Sequence, residues 1–298
     1  MHINFHHLRA FFEVARCQSF TRAAERLHLT QPAISKAVRE LELAFDCPLL
    51  ERTFRHVQLT ETGQALFEHA QSIFSLEQAA LDDLKARRGM EKGKLVVGGS
   101  STLSAYWLPE LLSQFLQKQP RVEIRLVSGN TENIATQVLT GAVDLALVEG
   151  AVSNDHLICT PWQHETLSLI APRHFNPAEN LSAACWVVRE SGSGTGQVMD
   201  NFFREEGIQP ERLVIVDSNA SALQMVLSGV GLALVPRVMA YQLIEQKQLQ
   251  ELPARTAPIT RTLYHVTLKG RPPSPARKAF EQMLATRSTI KPEMSTTR

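Results

Sequence analysis

The stretch Ser19-Phe20-Thr21-Arg22-Ala23-Ala24-Glu25-Arg26-Leu27, running through His28-Leu29 into Thr30-Gln31-Pro32-Ala33-Ile34-Ser35-Lys36-Ala37-Val38-Arg39-Glu40-Leu41-Glu42, decides the reading of the N-terminal region. Apolar residues recur at helical spacing on both sides of a short break. Phe20, Ala23, Ala24 and Leu27 form one inner face, and Ile34, Val38 and Leu41 form another. Ser19 or Thr21 offers a capping hydroxyl to the first helix and Thr30 to the second. Pro32 falls in a first turn, where its missing N–H costs nothing. The small Ala23-Ala24 pair lets another helix approach closely, and Leu8, Phe11, Phe12 and Ala15 mark a buried helix upstream. The pattern is a helix-turn-helix, which presents its second helix to the DNA major groove. Gln31, Ala33, Ser35, Lys36 and Arg39 are left facing outward. Gln pairs with adenine, Arg and Lys with guanine or phosphate, and Ala or Ser sits beside a thymine methyl. A plain three-helix bundle also has a polar face, but the ordered set of caps, small pair and turn favours DNA.

Downstream, Pro48-Leu49-Leu50-Glu51-Arg52 and Val57-Gln58-Leu59 read as two short strands around the basic turn Arg52-Thr53-Phe54-Arg55-His56. This is the form of a wing, with Arg52 and Arg55 placed to reach phosphate or a minor groove. Thr60-Glu61-Thr62-Gly63 then opens a helical pattern to about Arg88, carrying Leu66, Ile73, Leu76, Ala80 and Leu84 at helical spacing. Such a helix spans about 39 Å. With no evident element to pack on, it is expected to pair with its twin in a second copy.

These residues resemble the LysR-type transcriptional regulators. The resemblance runs gap-free through Leu8-x-x-Phe11, Ser19-Phe20-Thr21-x-Ala23-Ala24, Leu27, Gln31-Pro32-Ala33-x-Ser35, Leu41-Glu42, Leu49, Arg52 and Leu59-Thr60-x-x-Gly63. Two positions depart from it. Phe45-Asp46 stands where the family has Gly after the recognition helix, and Asp tolerates the left-handed backbone needed there. Leu49-Leu50 replaces a Leu-Phe pair. The resemblance implies a winged helix-turn-helix over residues 1–61, a linker and dimerisation helix over 62–88 and a hinge at 89–93. An effector domain over 94–298 follows, similar to periplasmic binding proteins. Its subdomain I would comprise about 94–164 and 267–298, and its subdomain II about 165–266. The crossover strands between them would be Glu165–Ala171 and Leu263–Leu268.

The chain has 298 residues and a formal net charge of +1. Residues 1–93 carry as many acidic as basic side chains, so DNA affinity must come from local placement of Lys36, Arg39, Arg52 and Arg55. No apolar run reaches membrane-spanning length, and the N-terminus lacks a signal-peptide core, so a soluble cytoplasmic protein is expected. Cys17, Cys47, Cys159 and Cys185 form no metal-like cluster and read as reduced, half-buried residues. Cys159 and Cys185 are the candidates for redox sensing, with no sign of an activated thiolate.

Beyond Lys94 short apolar strands alternate with helices. Strands fall at Lys94–Gly98, Val122–Ser128, Val143–Val148, Leu167–Ala171, Cys185–Arg189, Leu213–Val216 and Leu232–Val235. Helices fall at Leu103–Gln119, Thr131–Thr140, Gln197–Glu206 and Ser221–Leu227, with another from Pro275; residues 291–298 read as a frayed end. This is α/β with mostly parallel strands. In such sheets ligands bind beyond the carboxyl ends of strands, at helix starts. Four loops suit that role: Gly99-Ser100-Ser101-Thr102, Gly129-Asn130-Thr131, Ser191-Gly192-Ser193-Gly194-Thr195-Gly196 and Asp217-Ser218-Asn219. Singly, each is explained by capping and turn chemistry; four together point to a small-anion site.

The resemblance also implies effector contacts by Ser100 and Thr102, with Asn130, Glu149 and Thr195. Glu149 would either select a cationic, hydroxylated or protonated ligand or pair with Arg189. The loop pattern looks like the branch of sulfur-oxyanion and carbon-fixation regulators.

No P-loop, dinucleotide fingerprint, GxSxG, HExxH or carboxylate pair of clear environment occurs, and His164, His174 and His265 read as surface or strand residues. We therefore expect no catalytic residues, no metal and no cofactor beyond a small-molecule co-inducer. The expected partners are double-stranded DNA, a twin subunit through the linker helix, a dimer of dimers and RNA polymerase. The alternatives are a constitutive regulator without effector, or an α/β solute-binding protein or enzyme.

Overall fold

The computed structural model describes residues 2–52, 57–87, 93–176, 181–253 and 258–288. Two compact units arise, one built on Met1–Arg87 and the other on Arg88–Lys269 and Pro273–Arg298. The expected hinge lies outside the described residues but for Gly93, as do Arg55 and residues 291–298.

The first unit opens with α1 (Phe5–Cys17), α2 (Phe20–Leu27) and α3 (Gln31–Phe45). Ser19 caps α2, its hydroxyl accepting from the Arg22 N–H. Thr30 has the extended backbone of an N-cap before α3 but makes no side-chain cap bond. Its expected hydroxyl cap is absent because Pro32 removes one orphan donor and the exposed helix start leaves the rest to water. Asp46 ends α3 with φ 51°, so the left-handed conformation anticipated there is adopted. Glu42 Oε1 accepts from the Leu49 and Leu50 N–H groups and fixes the chain's exit. β1 (Leu50–Arg52) then pairs antiparallel with β2 (Val57–Leu59). Gly63 is required by space: a Cβ there would lie 2.0 Å from the Leu49 carbonyl oxygen.

α4 (Glu61–Arg87) corrects one expectation, since its first half does have a partner. Phe67 stacks on Phe12 at 5.1 Å, Phe74 lies 5.2 Å from the same ring, and the Arg9 guanidinium sits 4.0 Å above Phe74 while pairing with Glu77. Ala70 and Phe74 thus join the core made by Leu8, Phe11, Ile34, Val38 and Leu41. Further along, Leu76, Leu81 and Leu84 are exposed.

The second unit is a mixed sheet flanked by helices. Its strands are β3 (Lys94–Ser100), β4 (Glu123–Gly129), β5 (Leu145–Glu149), β6 (Leu157–Pro172), β7 (Cys185–Arg189), β8 (Arg212–Val216), β9 (Leu232–Pro236), β10 (Leu249–Leu252) and β11 (Thr260–Leu268). The order is β4-β3-β5-β11-β6-β9-β7-β8, with β10 beside β6. Pairing is parallel within the blocks β4-β3-β5 and β9-β7-β8. The long strands β6 and β11 join the blocks by antiparallel pairing, so the two crossovers exist and extend further than expected.

Helices α5 (Leu108–Lys118), α6 (Thr131–Leu139), α7 (Gly194–Glu206), α8 (Asn219–Leu227), α9 (Arg237–Glu245) and α10 (Pro275–Arg287) complete the unit. The expected single helix from Leu103 to Gln119 instead begins as a π-helical turn, Leu103–Trp107, before α5. Pro109 explains the break, because a proline near a helix start cannot donate to the preceding turn. α9 and β10 were not anticipated from the sequence. Apolar packing is anchored by Phe115 against Phe280 in one block and by Trp186 against Phe203 in the other.

Candidate functional site

On α3, burial of Ile34, Val38 and Leu41 turns the opposite face outward. Thr30, Gln31, Pro32, Ala33, Lys36 and Arg39 are exposed and Ser35 half-buried. Gln31 Nε2 donates to Ser35 Oγ at 2.9 Å, and Lys36, 79% exposed, makes only a loose 3.7 Å contact with Glu40. These side chains therefore stand on the solvent-facing side of α3. Arg52 ends β1, the first strand of the wing.

The ligand-binding candidates are placed in the opposite manner, inside the sheet unit. Ser100 ends β3 and Thr102 follows it, both buried; Ser101 between them is half-buried. Thr131, Thr195 and Asn219 occupy the first turns of α6, α7 and α8 and are buried as well. Asn130, Ser193 and Ser218 cap those helices by accepting from the N–H groups of Asn133, Gly196 and Ser221. The capping explanation thus accounts for these three side chains. Ser100 Oγ likewise accepts from the Leu103 N–H at 3.4 Å, and Thr131 Oγ1 donates to the Glu149 carbonyl, but capping does not account for Thr102, Thr195 and Asn219. Asn219 Nδ2 donates to Thr102 Oγ1 at 2.9 Å and to Thr195 Oγ1 at 3.0 Å, joining three loops from both strand blocks. Asn219 Oδ1 is buried without a hydrogen-bond partner.

Beside this cluster lies a buried ionic group that the sequence did not reveal. Arg261 of β11 faces Glu165 of β6 across the crossover. Its Nε donates to Glu165 Oε2 at 2.7 Å, its Nη2 to Glu149 Oε1 at 2.9 Å and its Nη1 to Thr195 Oγ1 at 2.8 Å. Trp107 Nε1 donates to Glu165 Oε1 at 3.0 Å. Glu149 therefore pairs with Arg261, not with Arg189. Arg189 is committed to Glu190 and to the Asp217 carbonyl. Burial pushes the Glu190 carboxyl up, but the Arg189 guanidinium and the Asn130 amide outweigh it and hold the carboxyl below its ordinary value.

Asn130 to Glu190 at 3.2 Å and the Glu132 N–H to the Gly192 carbonyl at 3.2 Å also tie the blocks together. Gly194 permits the approach, because a Cβ there would meet the Glu149 carbonyl oxygen at 2.4 Å. Among the described residues no set of side chains is arranged to hold a metal ion. All four cysteines are free, and burial raises the Cys159 thiol above its ordinary value, which disfavours a reactive thiolate.

Residues 5–64 match the family described as bacterial regulatory helix-turn-helix protein, lysR family, and residues 88–289 match the LysR substrate binding domain. The chain belongs to the LysR family of transcriptional regulators. It is 33% identical over 291 residues to the RuBisCO operon transcriptional regulator of Allochromatium vinosum, covering 95% of this chain and 96% of that protein. A full-length OxyR variant from Pseudomonas aeruginosa has the same fold, with a TM-score of 0.72, 19% identity and coverage of 98% and 99%. The regulatory domain of Synechocystis CcmR, solved in complex with 2-PG, matches with a TM-score of 0.60 and 25% identity. That match covers 66% of this chain and 98% of that domain.

This LysR-type protein is thus a DNA-binding transcriptional regulator with an effector-binding domain. Arg261, Glu165, Trp107 and Glu190 escaped the sequence reading of the site. The available signal was one charged residue in each of the two crossover strands, Arg261 in β11 and Glu165 in β6.

Proposed function

We propose that the effector is a small anion, held where the four strand-to-helix loops converge. The observation carrying this reading is the hydrogen-bond state of Thr195. Its hydroxyl oxygen already accepts from Asn219 and from Arg261, so its proton is free only to donate. Thr102 likewise accepts from Asn219. Two hydroxyl donors beside the N-terminal turns of α7 and α8 suit an oxyanion. The pairing of Glu149 with Arg261, which it shares with Glu165, weakens its repulsion of an anion. The contact set is Ser100, Ser101, Thr102, Asn130, Thr131, Ser193, Thr195, Ser218 and Asn219, with Glu149 beneath it.

On the DNA side, Thr30, Gln31, Pro32, Ala33, Ser35, Lys36 and Arg39 enter the major groove, and Arg52 and Arg55 contact the backbone from the wing. Exposed Leu76, Leu81 and Leu84 on α4 support pairing of two copies through residues 62–88, and two such pairs form the tetramer that engages RNA polymerase. The regulator works in the cytoplasm, where its DNA is, and among the described residues no helix is long and apolar enough to cross a membrane.

A thermal-shift screen of the full chain against 2-PG, sulfate, sulfite, phosphate and common carboxylates tests the effector reading. An anion at one hundred times its dissociation constant should add about 2.7 kcal/mol of stability, and Thr102→Ala should abolish the shift. A shift that survives Thr102→Ala, or no shift with any anion, would refute it.

A further inference from the structure

The ionic group beneath the proposed anion site has an uneven charge count. Glu149 and Glu165 are both almost fully buried, and among the described residues Arg261 is the cation paired with either. One formal negative charge is left over. Burying an uncompensated charge is costly, so a buried group with an excess charge attracts a counterion to whichever of its sides is open. Glu149 lies under the loops already described. Glu165 has a second neighbourhood: it lines an open pocket of about 410 Å³, within the range that accepts small organic molecules. Trp107 and Tyr241 supply aromatic rings to that pocket and Val238 an aliphatic wall.

Of the other polar groups lining this pocket, Arg237 and His164 have contacts of their own. Arg237 donates to Glu251 at 3.0 Å, and Glu251 also accepts from Ser168. His164 Nδ1 lies 3.4 Å from the Thr262 hydroxyl. Glu165 Oε1 accepts from the Trp107 indole N–H, and its other oxygen takes the Arg261 bonds. An aromatic-walled pocket over a carboxylate that belongs to a net negative group is the recipe for recognising an organic cation: ring faces attract positive charge, and the carboxylate supplies the counterion.

We propose that the pocket between Trp107, Glu165 and Tyr241 is a second ligand site, distinct from the anion-binding loops, which takes a small organic ammonium. The site does not depend on the anion reading. Because Glu165 also holds Arg261, and Arg261 holds Thr195, occupation of the pocket acts on the same buried group that underlies the loops.

The experiment titrates the full chain with choline and with its neutral isostere 3,3-dimethylbutan-1-ol, read by tryptophan fluorescence and calorimetry. Choline should bind saturably and the isostere about 5- to 30-fold more weakly, the size of a desolvated cation–aromatic contact. Tyr241→Ala, at a half-exposed helix position that the fold does not require, should weaken choline by a comparable factor. Glu165→Gln should also weaken it, and Tyr241→Ala keeps the test decisive if that variant does not fold. Equal binding of the two compounds, no saturable choline binding up to about 100 mM, or unchanged affinity in Tyr241→Ala would each overturn the proposal.

Discussion

The outer face of α3 and the loop cluster of the sheet unit are both rich in polar residues, yet they are built on opposite principles. On α3 the polar side chains are exposed and nearly unpartnered, and the helix is held from behind by Ile34, Val38 and Leu41. In the loop cluster the polar side chains are buried and hold one another, through bonds spanning sequence separations of 117 residues for Asn219–Thr102 and 96 for Arg261–Glu165. A surface that meets a large, highly charged partner can wait in water. Polar groups buried within a domain must find their partners inside it, Asn219 Oδ1 being an exception in this cluster. The first is tolerant of substitution in folding terms, and the second is not.

That difference sets the largest expected effect. Arg261→Ala leaves two buried carboxylates without their cation and should cost about 3–5 kcal/mol of stability in denaturant unfolding of the full chain. Arg39→Ala, on the exposed face, should stay within about 0.5 kcal/mol of the wild type. Similar losses in both would break the contrast.

Acid sharpens it. Burial lowers the His265 pKa from 6.5 to about 4, against the opposing pull of Glu281. The unfolded chain therefore binds the extra proton first as pH falls. The associated stability is fully present above about pH 6.5 and is lost progressively toward pH 4, a loss of about 3 kcal/mol. Unfolding midpoints measured across that window should fall with acid, and His265→Phe should flatten the fall. An unchanged profile in His265→Phe would remove the histidine from the account.

A smaller effect belongs to the recognition helix. Arg39→Ala should cost about 1–3 kcal/mol in binding to a duplex selected from random DNA, with stability unchanged. The smallest concerns the residue where this chain departs from its family. Asp46 holds φ 51° at the end of α3, so Asp46→Gly should stabilise the N-terminal unit, by about 0.5–1 kcal/mol. A destabilised Asp46→Gly would show that the Asp side chain contributes more than its backbone conformation costs.

The same contrast explains what could be read in advance. The helix-turn-helix was legible because its evidence is local: the Ala23-Ala24 pair, the Ser19 cap and the apolar spacing of α3 all lie within one short window. The strands Cys185–Arg189 and Leu232–Pro236 were legible because they are short apolar runs bounded by polar turns. β6 extended far beyond its expected Glu165–Ala171 because its first half carries Thr160, Gln163 and His164, whose strand conformation is imposed by β11 alongside.

α9 was missed because Pro236 and Arg237 conceal its start and its buried face is limited to Met239 and Ala240. Four site residues escaped for one shared reason. Arg261, Glu165, Trp107 and Glu190 earn their roles from partners distant in sequence, and spacing carries no trace of such a bond.

The most direct test of the account is a calorimetric titration of the full chain, beside its Thr195→Val and Arg39→Ala variants, with whichever anion gives the largest thermal shift in the screen. The account predicts one saturable site per chain in the wild type, unchanged affinity in Arg39→Ala and at least about tenfold weaker binding in Thr195→Val, the loss of one hydrogen bond to a charged group. Wild-type affinity in Thr195→Val, or equal weakening in both variants, would contradict it.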